Sequence, residues 1–177
     1  VSTDTATLKD GSFAFGAGSW GTSDSSWAFL PLDSRFSYIV GGGNPGNCLR
    51  MAGVSGGVTQ LVQDLPCEPG SNWRIRANVK NESTNLFSVG VAFMDVNHNP
   101  ITTGLADSTV AVAAGAWQTA VNAKAAPVGA CFVRAKMYTA SGATGYVYVN
   151  NVALEPADPL TGALGRSTTD GTTKVVD

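Results

Sequence analysis

Charge is scarce in this chain: Asp, Glu, Lys and Arg together make up 14% of 177 residues, and the formal net charge is −2. Nucleic-acid binders and proteins held to anionic membranes carry a concentrated basic footprint, so neither class is expected. No apolar run approaches the roughly 20 residues that cross a bilayer as a helix, so membrane insertion is not expected. Histidine occurs once, at His98, and cysteine three times, at Cys48, Cys67 and Cys131. Without a C-x-x-C pair or a second histidine the chain offers no zinc-type ligand set. His98 has no Ser or Cys nucleophile motif beside it, "GAGSWG" is not a G-x-S-x-G elbow, and no G-x-x-x-x-G-K-[ST] phosphate loop occurs. An enzyme is therefore not expected. Amphipathic helices are lacking too. The best candidate, "DSTVAVAAGAWQTAV", has a central Gly between β-branched residues and reads as two strands around a turn. The opening "VSTDTATLKD" has neither an initiator Met nor an apolar signal core, which suggests a processed protein, a virion component or an excised domain.

What is present is glycine, 21 residues of 177, against a usual share of about 7%. Val, Thr, Ala and Ser are frequent beside it, the composition of many short strands joined by tight turns. "GGGNPGN" (residues 41–47) is turn chemistry, and "NWRIRANVK" alternates cleanly. Trp73, Ile75, Ala77 and Val79 share one face there, and Arg74, Arg76, Asn78 and Lys80 the other. About nine or ten strands at this spacing predict a β-sandwich or barrel. Residues 1–7 read as a lead-in, 8–156 as the domain, and 157–177 as an arm or linker without pattern.

One strand breaks its own rule. "YVYVNNVALEP" (residues 146–156) places Asn150 and Asn151 inside an apolar run, although Asn is depleted in strands and costly to bury without partners. Either the chain bends there with its amides satisfied locally, or the pair is the remnant of a site.

The order "DGSFAF…SW", "NCLRM", "LVQDLPCEPGSNWRIRANVK", "AWQTAV…APVGACFVRAKMY", "YVYVNNVALEP" resembles the family 4/9 carbohydrate-binding modules, within the galactose-binding-like jelly rolls, over about residues 8–156. The resemblance implies an all-β jelly-roll sandwich of two antiparallel sheets. It also implies a non-catalytic module that binds a polysaccharide or cell-surface glycan, as part of a larger extracellular or phage-like virion assembly. In that family an acidic pair stands where Asn150 and Asn151 stand here, and a Glu where Ala14 stands. Those carboxylates typically help hold a structural calcium ion, so here the calcium position is expected to be degenerate. No cofactor is required, and weak calcium binding through amide and carbonyl oxygens is the remaining option. Trp73 and Trp117 fall at core-anchor positions of the family pattern.

Sugar recognition needs a flat aromatic against a pyranose face and planar polar groups for its hydroxyls. Arg74, Arg76, Asn78 and Gln63 are the candidate polar groups, with Arg134 and Lys136 at matching parity, for hydroxyls or acidic sugars. Trp27 and Tyr138 are the candidate stacking residues. The competing reading of these positions is a solvated outer face of the sandwich. Asp95, Asn97, His98 and Asn99 read as hairpin-loop chemistry. Cys67 and Cys131 are expected to point inward, paired or as free thiols, with Cys48 left over. The rival function is a structural or assembly domain of a virion with no glycan ligand, its tail docking into neighbouring chains.

Overall fold

In the computed structural model the described residues are 35–54, 57–101 and 108–157, and their regular structure is entirely β. Nine strands follow in order: β1 (Phe36–Ile39), β2 (Cys48–Ala52), β3 (Gln60–Pro66), β4 (Asn72–Asn81), β5 (Phe87–Met94), β6 (Ser108–Val112), β7 (Gly115–Ala125), β8 (Phe132–Thr139) and β9 (Tyr146–Pro156). They form a five-stranded sheet, β1-β2-β9-β4-β7, and a four-stranded sheet, β3-β8-β5-β6. All pairings are antiparallel, and the chain is a jelly-roll β-sandwich.

The inner faces supply the core in the alternation their strands dictate. Trp73, Ile75, Ala77 and Val79 of β4 meet Phe87, Val89, Val91 and Phe93 of β5 and Val133, Ala135 and Met137 of β8 in one cluster. Trp73 caps it, with its indole N–H donated to Ser71 Oγ at 2.9 Å. Residues 1–34 and 158–177 lie outside the described residues, and with them the lead-in, most of the C-terminal arm, Ala14 and Trp27.

β9 answers the question its asparagines raise. Val147 and Val149 are buried before the pair, Val152 and Leu154 after it, so the inward parity switches from odd to even. The β4 register moves from Asn78↔Asn150 to Arg76↔Ala153, which leaves two residues of β9 opposite Ala77. This is a β-bulge, and Asn151 takes the left-handed conformation (φ 48°) that Asn tolerates better than a branched residue. A second bulge, on β7, sets Ala116 and Trp117 opposite Lys80, between Val79↔Gln118 and Asn81↔Gly115.

Candidate binding face

The outer face of the five-stranded sheet follows from the registers. Ser37 of β1 opposes Arg50 of β2, Arg50 opposes Tyr148 of β9, and Tyr148 opposes Lys80 of β4. The β7 bulge places Trp117 beside Lys80, at the same parity as Thr119, whose hydroxyl bonds Asn78 Oδ1 at 3.0 Å on this face. One transverse row therefore reads Ser37, Arg50, Tyr148, Lys80, Trp117. Adjacent strands are about 4.8 Å apart, so the row spans roughly 19 Å. Tyr146, one step along β9, is half-exposed. The Arg50 guanidinium carbon stands 4.4 Å from its ring centroid, and Lys80 Nζ stands 5.4 Å from that of Tyr148. Arg50 also donates to Ser37 Oγ at 3.1 Å.

The loop over residues 41–47 walls one side of this row. β1 and β2 end at Ile39↔Cys48, and the connection folds back over the middle of β9 and β4. Its Asn44–Pro45 peptide is cis. Asn78 donates its side-chain amide to the Asn44 carbonyl at 2.9 Å, and Asn150 donates to the Pro45 carbonyl at 2.6 Å. Within the loop, Gly41 N–H bonds Asn47 Oδ1 (3.0 Å) and Gly43 N–H bonds the Gly46 carbonyl (2.7 Å). A Cβ on Gly43 would collide with the Asn150 amide and the Asn47 carbonyl, so only glycine fits. The loop also covers Cys48, whose thiol pKa is pushed up by burial and only partly drawn back by the Lys80 charge.

Beyond the loop lie Arg74 and Arg76, both about half-exposed. Arg74 donates twice to Glu155 Oε1, at 2.6 and 3.1 Å, while Arg76 reaches the same oxygen only at 4.0 Å. Lys80 pairs with Glu82 at 2.5 Å, and that hydrogen bond raises its pKa.

Of the residues expected to bind sugar, Arg74, Arg76 and Asn78 share this face, although Asn78 is engaged by the loop and Thr119. Gln63 does not join them. It is buried on β3, in the other sheet, at the inward parity of Leu61 and Leu65. Tyr138 lies on the outer face of that second sheet, with Lys136 Nζ 5.3 Å from its ring centroid. Arg134 is fully buried and serves structure: its guanidinium grips Asp64 at 2.6 and 2.9 Å, and His98 Nδ1 approaches the same carboxylate at 3.0 Å while stacking on Phe132. Trp117 corrects the expectation of a core anchor. It is half-buried, outside the core cluster, on the outer face. Tyr146, Tyr148, Arg50 and Trp117 were not singled out from the sequence as binding residues. The signal for them is the bulge, since "YVYVNN" reveals its outward tyrosines only once the parity switch is known.

Among the described residues no three His, Cys, Asp or Glu side chains converge on a point. At the expected calcium position Asn150 Oδ1 is buried without a hydrogen-bond partner, and the amide nitrogen is committed to Pro45. Cys67 and Cys131 are free, half-buried thiols at the β3–β8 end, where Cys67 N–H bonds the Cys131 carbonyl at 2.9 Å.

No protein-family profile matches the chain, and no curated protein matches it. Solved structures do. The enzymatically active domain of tailspike protein 4 from bacteriophage CBA120 is similar with a TM-score of 0.64 and 16% identity, over 85% of this chain and 21% of that one. The chain thus spans about a fifth of that domain's length. A family 16 carbohydrate-binding module gives 0.59 and 16%, over 83% of this chain and 97% of that one. The CBM22-1 xylan-binding domain of Paenibacillus barcinonensis Xyn10C gives 0.59 and 12%, over 88% and 97%. The fold is a β-sandwich shared with carbohydrate-binding modules, those among these structures being of families 16, 22 and 61.

Proposed function

We propose that this chain is a non-catalytic module that binds a polysaccharide or cell-surface glycan across the outer face of the five-stranded sheet. The row Ser37–Arg50–Tyr148–Lys80–Trp117 carries the reading. Flat rings alternate there with charged donors on a solvent-facing sheet, and a fixed loop limits one side. Rings supply apolar faces for pyranose C–H groups, and the donors take hydroxyls. In this reading binding needs no metal. The likeness to a tailspike and to modules of larger enzymes supports a place in an extracellular or virion assembly, with the C-terminal arm available to neighbouring chains. The family 4/9 pattern remains a proposal of descent.

The test is calorimetry against a broad glycan panel, with and without a chelator. Chelator-insensitive binding that Tyr148→Ala abolishes, with an unchanged melting temperature, is the expected result. A folded protein that binds nothing on the panel would overturn the reading in favour of a structural domain of a particle.

A further inference from the structure

Resting on that reading, we infer that the ligand is an acidic polysaccharide, one bearing carboxylate or sulfate groups along its chain. Four cations stand on the outer face of the five-stranded sheet, Arg50, Arg74, Arg76 and Lys80, against two carboxylates, Glu82 and Glu155. Among the described strand residues and Glu82 that is a surplus of two positive charges on this face, in a chain whose formal net charge is −2. The cations are not neutralised alike. Lys80 has Glu82, and Arg74 holds Glu155 in a close, twofold contact. Arg76 is left with the far edge of that same oxygen, at 4.0 Å, and its side chain is 52% exposed. Arg50 is held by Ser37 Oγ and the Tyr146 ring, neither of which is an anion. Both contacts fix the guanidinium in place and leave its charge uncompensated, so its fork is presented in advance to a planar anion. A neutral glycan would use these donors for hydroxyls only, and their charge would go unused. Sulfated and carboxylated chains share the chemistry that this face offers.

Affinity electrophoresis of the intact chain through gels holding xylan, galactan, polygalacturonate, alginate or dextran sulfate tests the inference, with a single-stranded oligonucleotide as a further arm. Polyuronate or sulfated chains are expected to bind at least about tenfold tighter than neutral ones, and the anionic arm that retards most identifies the source. Arg50→Gln with Arg76→Gln should weaken that binding by about tenfold, whereas Glu155→Gln, which releases Arg74 and Arg76, should strengthen it about threefold. Tyr148→Ala should weaken it as well. Equal binding of neutral and acidic glycans, unmoved by the arginine changes, would overturn the inference and leave the glycan reading standing. Equal retardation by the oligonucleotide, or anion binding insensitive to Tyr148→Ala, would reduce the face to an ion exchanger and overturn it too. No binding to any arm by the folded chain would overturn both.

Discussion

The side-chain amide of Asn150 donates to the carbonyl oxygen of Pro45, 2.6 Å away and 105 residues earlier in the chain. That bond ties the loop of residues 41–47 to the bulge of β9, and with it the wall of the candidate face to the sheet beneath.

Loss of the bond should be felt in stability. Asn150 is fully buried and the bond is part-buried, so Asn150→Ala removes the tether of the loop at a cost of about 0.5–1.5 kcal/mol. Asn150→Asp should cost more, because a carboxylate would then face the Pro45 carbonyl. Gly43→Ala should act in the same direction by displacing the loop. Urea unfolding of the three variants checks this, and an Asn150→Ala midpoint equal to that of the parent would show that the loop is held elsewhere.

The buried ion pair of the other sheet gives a sharper test. Arg134 has no exposed side-chain surface and Asp64 only 4%, and two hydrogen bonds join them. Removal of either partner takes the twofold contact away from a charge that stays buried, so Arg134→Leu or Asp64→Ala should each destabilise by about 3–5 kcal/mol. The double change Asp64→Leu with Arg134→Met should recover most of that loss. A double variant no more stable than either single one would mean that the pair is valued for more than its own compensation.

Much of this architecture is legible in the residues, and the limits are physical. The alternation of Trp73 to Lys80 names both faces of β4 correctly because that strand is central, with a dry side and a wet one. Strand parity says which residues share a face of one strand, and nothing about which sheet the strand joins. Gln63 and Tyr138 therefore matched Arg74 in pattern and lie elsewhere in space. β7 is an edge strand with little burial on either side, so its two stripes are equally mixed and Trp117 reads either way. The β1 strand "FSYI" hides behind a Gly/Ser-rich lead, and its short length gives periodicity little to work with. Asn150 and Asn151 did mark a special place, but the partner that explains Asn150 is a loop carbonyl, which leaves no trace in a side-chain pattern.

The two tryptophans offer a direct comparison of those readings. Trp73 is 5% exposed in the core, and Trp73→Ala should cost about 3–5 kcal/mol through the cavity it leaves. Trp117 lies half-buried on the outer face, so Trp117→Ala should cost roughly 1 kcal/mol or less and reduce glycan affinity instead. Paired melting and binding curves decide it. Equal destabilisation by the two changes would return Trp117 to a core role and remove it from the binding row.

The polar loop between β5 and β6 has its own pH signature. Asp95 Oδ1 accepts the N–H of Asn97 at 2.8 Å and that of Asn99 at 2.9 Å. The Asn99 N–H first, and the Asn97 N–H with it, hold the Asp95 carboxyl below its ordinary 3.8. A carboxylate whose folded pKa is depressed stabilises the folded loop fully above the unfolded value and loses that contribution as pH falls through the folded one. The backbone amide resonances of Asn97 and Asn99 should therefore titrate together, with a common midpoint below 3.8. In Asp95→Asn the same resonances should not titrate. A midpoint at or above 3.8, or resonances that still titrate in Asp95→Asn, would show that the Asp95 carboxylate does not hold the loop.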